Sequence, residues 1–131
     1  MATNVLTYLG EEWVVDRLVG SGGYSYSGHW VGWGTSTNTA SSLKSETGLR
    51  AESTDTGSGA RQSGTPAKSG AGSAAVWQNQ ATLTSNITQT ITEAGCFSTN
   101  TAGHMFIKGD FTGIALSAND SIQFTFTLNP A

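Results

Sequence analysis

The sequence predicts a mainly β chain, an antiparallel β-sandwich or jelly roll with a short N-terminal helix. Composition is the first reason. Of 131 residues, 17 are Gly, 16 Ser and 19 Thr, and only 11% are charged. Such a chain is poor in strong helix formers and rich in turn residues and short hydroxyl side chains. The second reason is alternation: several segments of the C-terminal half place apolar residues on one parity and polar residues on the other, with turn clusters between them. Third, a 3.6-residue period occurs at the N-terminus. Strands in succession after one helix fit an antiparallel two-layer fold, and the length fits one domain over residues 1–131.

The N-terminal arm, about 1–20, carries Leu6, Leu9, Trp13 and Leu18 near a helical period. Thr7 is placed to cap a helix whose first turn contains Glu11 and Glu12, where carboxylates favour the helix dipole. Val14 and Val15 work against it through their restricted rotamers. Gly20 to Gly23 stop the helix, and Tyr24 to Ser27 read as a loop or short edge strand. His29 to Trp33 reads as a strand ending at Gly34. The Gly/Ser-rich stretch from about 54 to 73 holds five glycines, Pro66 and almost nothing apolar, which predicts a flexible loop without core contacts. A connection that long is usually functional, so it is a candidate for contact with a neighbouring molecule.

Beyond it, Ala75, Trp77, Ala81 and Leu83 share one parity against Gln78, Gln80, Thr82 and Thr84. "TQTITEAGCF" and "HMFIKGDF" read as two further strands, and "LSANDS" as a turn. The clearest strand is "SIQFTFTL", with Ile122, Phe124, Phe126 and Leu128 on one face and Gln123, Thr125 and Thr127 on the other.

Charge narrows the function classes. The net charge is -3, and the six basic residues are scattered, leaving no basic stripe for a phosphate backbone. Nucleic acid is not an expected partner. No apolar run approaches the length of a spanning helix and no secretory leader is evident, so neither a membrane nor classical export is expected. A single cysteine allows no internal disulfide, consistent with synthesis in a reducing cytoplasm.

Few residues offer chemistry. A nucleophilic cysteine needs a depressed pKa, from a histidine or a helix N-terminus. Cys96 follows a glycine in a strand, and nothing in the spacing brings His29 or His104 to it, so a small buried core residue is the expected role. Two histidines and one thiol without CxxC or HxxxH spacing supply no metal set, and no phosphate-cradling glycine motif is present. No catalytic, metal or cofactor-binding residue is assigned, and no cofactor is expected. Asp110 and Asp120 fall at strand ends, where turn hydrogen bonding is the ordinary role. Tyr24, Tyr26, Trp30 and Trp33 cluster within ten residues, and form either an exposed interface suited to a sugar or a protein, or packing of the first strand.

"HWVGWGTSTNTA" with "LKSE", then "ITEAGCF", then "HMFIKGDFTGIALSANDSIQFTFTL" together resemble a family of tailed-bacteriophage virion structural proteins. Its members carry a W-x-G-W-G-T-G-T-like opening, an I-T-E-A-G-L-F centre and a closing G-D-S-I-x-F-T-like strand. The resemblance runs from about His29 onward, except for the Gly/Ser-rich middle. Ser36 and Asn119 stand where the family often has glycine, and Cys96 where it often has leucine, which removes weight from a reactive thiol. The resemblance implies a non-enzymatic virion protein. A capsid decoration (cement) protein on the outer surface of the head is the favoured expectation, with the major capsid protein as partner and a homotrimer as its form. A tail or fibre component binding host glycan is the alternative, and an enzyme using Cys96 or Asp110 comes third.

Within "ITEAGCF", Glu93 and Cys96 have opposite parity and face opposite ways in an unbroken strand. Ile91, Cys96 and Phe97 are expected to supply core, Gly95 to permit a kink, and Glu93 to accept hydrogen bonds from nearby backbone or hydroxyl groups.

Overall fold

The structure, a computed structural model, describes residues 3–19, 29–36, 44–56 and 61–129. In chain order these form β1 (Thr3–Leu6), α1 (Tyr8–Val19), β2 (Trp30–Gly34), β3 (Gln62–Ser63), β4 (Thr65–Ser69), β5 (Val76–Thr84), β6 (Gln89–Phe97), β7 (Met105–Leu116) and β8 (Ser121–Leu128). The strands pair antiparallel into a five-stranded sheet, ordered β1-β7-β6-β2-β3, and a three-stranded sheet, ordered β4-β5-β8. The described residues form the mainly β, two-sheet sandwich that the alternation predicts, with the N-terminal helix that the 3.6-residue period predicts.

The core lies between the sheets. Val31, Trp33, Ile91, Ala94, Cys96, Phe106, Ile107 and Leu116 from the larger sheet meet Ala81, Leu83 and Phe126 from the smaller. Aromatic edges join the layers: Trp33 meets Phe124 with ring centroids 6.4 Å apart, and Trp77 meets Phe106 at 5.4 Å. β5 and β8 pair without interruption from Trp77 opposite Leu128 to Thr84 opposite Ser121, so their apolar parities coincide on the inner face. Asn79 shares that parity and is fully buried, the one polar member of an otherwise apolar row.

Thr7 caps α1 as its position suggests. Its Oγ1 accepts from the Gly10 N–H at 3.0 Å and donates to the Met105 carbonyl at 2.7 Å, tying the helix start to β7. Gly10 is required where α1 rests on β7, since a Cβ there would overlap the Phe106 carbonyl oxygen and lie 2.8 Å from Leu6 Cδ1. Tyr8 and Leu18 are exposed, and Leu18 is 83% so.

Three features depart from the sequence reading. The N-terminal arm contains a strand ahead of the helix, β1, whose four residues pair with 107–110 of β7. The 54–73 stretch contains β3 and β4, and the chain crosses between sheets at Gly64, whose N–H donates to the His29 carbonyl at 2.7 Å. A side chain at Gly64 would collide with the Asn79 amide. That stretch also supplies a buried residue, Arg61, against the expectation of no core contact. Finally, β7 runs five residues beyond Phe111, to Leu116, and shifts register against β6 between Ile91 and Glu93.

The "LSANDS" turn forms as read. Asp120 accepts from the Ser117 N–H through Oδ2 at 2.8 Å, and Asn119 adopts φ of 76°. That left-handed conformation is one that asparagine or glycine adopts readily.

Candidate functional site

β6 runs between β2 and β7, and its residues divide between two faces. Ala94 and Cys96 belong to the inter-sheet core, while Glu93 bonds to the segment 44–56, which lies across the outer face of the larger sheet. Glu93 and Cys96 therefore sit on opposite sides of one strand. The register from Glu93 to Cys96 is unbroken, with irregularities on either side of it. Gly95 is consequently not the kink. Its missing side chain leaves space for Met105, whose Sδ would be 2.9 Å from an added Cβ.

Glu93 is fully buried, and its carboxylate has three partners. Oε1 accepts from the Arg50 N–H at 2.9 Å and Oε2 from the Ala51 N–H at 2.8 Å, while the Lys108 ammonium lies 3.1 Å from Oε1. Lys108 is itself fully buried, with Glu46 Oε1 at 2.9 Å and Asp110 Oδ1 at 3.5 Å. Arg50 closes the group through Glu46 at 2.7 Å and Asp110 at 3.4 Å. Three carboxylates thus face two cations. A buried charge is tolerated only when it is paired and hydrogen-bonded, and each of these charges is. Asp110, read as a turn residue at a strand end, instead lies within β7 as part of this network.

A second charge cluster lies beside the first. The Arg61 guanidinium stacks on the Phe97 ring, its carbon 3.4 Å from the centroid. It donates to both Glu52 oxygens, at 2.7 and 2.9 Å, and to the Thr99 and Ala102 carbonyls at 3.0 and 2.7 Å. Phe97 is buried under this clamp and is not part of the inter-sheet cluster. Gly32, opposite Gly95, makes room for it, since a Cβ would lie 3.0 Å from Glu52 Oε2 and 3.2 Å from Arg61 Cγ.

Glycine is required again at Gly34, opposite Glu93. An added methyl would overlap Glu93 Oε2 and lie 2.7 Å from the Ala51 carbonyl oxygen. Gly34→Ala is expected to cost about 1–3 kcal/mol by overpacking around an immobile buried ion. Gly48→Ala is the control, because a Cβ there meets nothing within 4 Å. Urea unfolding of the two variants checks the contrast, and equal midpoints would argue against a rigid site.

Cys96 is fully buried, and burial pushes its thiol up to about 12, opposed by a hydrogen bond from Asn79. This is the reverse of nucleophile activation. It also fixes a pH dependence. Below the ordinary thiol value of 9.0, folded and unfolded chains both hold the proton and the contribution to stability is complete. From there to about 12 only the unfolded chain releases it, so stability falls as pH rises. The limiting slope is about 1.4 kcal/mol per pH unit. Cys96→Ala is expected to lose less stability than the parent across this window in urea unfolding, and parallel losses would contradict the assignment.

Of the aromatic cluster, Trp33 is 0% exposed and packs in the core, so it is unavailable as a surface anchor. Trp30 is half-buried and stacks on His29, with ring centroids 5.4 Å apart. Tyr24 and Tyr26 lie outside the described residues. Sequence reasoning missed Glu46, Arg50, Glu52, Arg61 and Lys108. The available signal was modest: Lys108 and Asp110 share the outward parity of β7, and Glu93 shares that of β6, opposite Gly34 of "VGWG".

Among the described residues, no group of three or more His, Cys, Asp or Glu side chains is arranged to hold a metal ion; the carboxylates of Glu46, Glu93 and Asp110 converge on Lys108 instead. No described helix is long and apolar enough to cross a membrane. Comparison with protein-family models, with curated proteins and with solved structures finds no match.

Proposed function

We propose that this protein is a structural component of a tailed-bacteriophage virion, a decoration protein that binds the outer surface of the assembled head. One observation carries the reading. The segments that resemble the virion family, far apart in the chain, converge on a single buried construction. Gly34 of the opening motif, Glu46 of "LKSE", Glu93 of "ITEAGCF", and Lys108 and Asp110 of "HMFIKGD" are neighbours on the outer face of the larger sheet. Residues spread over so much sequence but serving one packing arrangement are what a shared fold preserves. On this reading the motif marks an architecture and not a reaction, and the sandwich is a jelly-roll derivative with its strands divided five and three.

Such a protein acts by mass action. Binding only the assembled lattice stabilises that state, and many copies bridging adjacent capsid subunits resist the pressure of packaged DNA. With few charges, and Glu46, Arg50, Arg61, Glu93, Lys108 and Asp110 committed to internal pairs, the bond to the capsid is apolar and backbone-mediated and weakly dependent on salt. Antibody labelling of purified virions, with quantification of copies per particle, tests this. Dense labelling of heads at several hundred copies, retained in moderate salt, is expected. Label confined to tails at a dozen copies or fewer overturns the head assignment in favour of the tail component.

A further inference from the structure

We propose that β8 is a docking edge whose occupant is β8 of a second copy, paired antiparallel about a two-fold axis. The inference stands independently of the virion reading. Sheet edges expose unpaired N–H and C=O groups, and folded proteins usually blunt them with shortness, proline or charge. Here β1 has four residues and β3 two, while β4 carries Pro66 and Lys68. β8 has none of these protections. It runs eight residues without a charge or a proline, and its register against β5 is regular throughout. Among the described residues no strand pairs with its outer side.

The surface beside this edge is also unfinished. β1 covers β7 only at 107–110, so beyond Asp110 no strand among the described residues pairs with the outer side of β7. An apolar groove of ≈ 400 Å³ results, lined by Phe111, Ile114, Ile122, Phe124 and Phe126. Ile114 is 41% exposed, and Phe111, Ile122 and Phe124 are only half-buried.

Why a second copy? The other three terminal strands are blunted, and the open stretch of β7 offers six residues, 111–116, against the eight of β8; β8 of a second copy is the longest uncharged edge available to β8, and pairing through it makes the contact two-fold. The edge is electrically compatible with itself, since no charged side chain in Ser121–Leu128 is set against its like. The side-chain pattern agrees. Pairing centred on Thr125 sets Phe124 opposite Phe126 and Ile122 opposite Leu128 on the inner face, with Gln123 opposite Thr127 outside. Both three-stranded sheets then join into one, and each groove is covered by the other's margin. The contact is two-fold, so a trimer would have to use other surfaces.

Sedimentation equilibrium tests the pairing. The parent is expected at twice the 13.6 kDa chain mass. Thr125 is exposed on the outer face, so a charge there is compatible with the fold, but in the two-fold pair it meets its own copy. Thr125→Lys and Thr125→Glu are each expected to halve the mass, and an equimolar mixture of the two to restore it. That recovery separates lost pairing from misfolding. A monomeric parent, which would leave the edge to a strand of another protein, overturns the proposal. So does a parent assembly that Thr125→Lys leaves intact.

Discussion

Lys108→Met is expected to lower stability by about 3–5 kcal/mol, read as a fall in the urea midpoint at unchanged slope. The ammonium is fully buried and lies within 3.5 Å of Glu46, Glu93 and Asp110. Methionine fills much of the same volume, so little of the loss comes from a cavity. What remains is three carboxylates around Arg50, with Glu46 and Asp110 paired to its guanidinium and Glu93 accepting from the Arg50 and Ala51 N–H groups. For a domain whose total stability is of order 5–15 kcal/mol, this is a large fraction. Adding Glu93→Gln removes one of the excess charges, so the double variant is expected to be less destabilised than the two single losses summed, by about 0.5–3 kcal/mol. Strict additivity would show that the two groups do not interact.

Arg61→Ala is expected to cost about 2–3 kcal/mol, measured the same way. The lost guanidinium leaves Glu52 and the Thr99 and Ala102 carbonyls without their donor and uncovers the Phe97 ring. The figure lies below that for Lys108 because Glu52 is partly solvated, with 26% of its side chain exposed. Arg61→Lys is expected to recover little. A single ammonium cannot reproduce the planar, two-pronged contact with Glu52 while lying flat on an aromatic face. Recovery of full stability by lysine would reduce the site to a point charge.

The parts of the fold legible in the sequence are those where one face is buried and the other wet. β5 and β8 announce themselves because inter-sheet packing imposes a period of two on them. β4 gives no such signal, since every one of its residues is exposed and burial imposes no period. β1 is four residues long and exists by pairing with β7, a partner about a hundred residues away. The capping role of Thr7 was readable from local chemistry alone. The charge network was not, because Lys108 and Asp110 lie on the parity that alternation assigns to solvent. The segment 44–56 covers that face, and no periodicity reports a covering loop. Arg61 was hidden for a related reason: a lone charge among glycines and serines reads as surface until its carboxylate, ring and carbonyl partners are assembled around it.

Within "ITEAGCF", Glu93 is a structural acceptor that pins the segment 44–56 to the larger sheet. Amide hydrogen exchange at Arg50 and Ala51 tests it most directly, since both N–H groups donate to the Glu93 carboxylate. Both amides are expected to be strongly protected in the parent, and to lose that protection in Glu93→Ala while β5 and β8 keep theirs. Exchange at Arg50 and Ala51 in the parent as fast as in an unstructured peptide would contradict the claim.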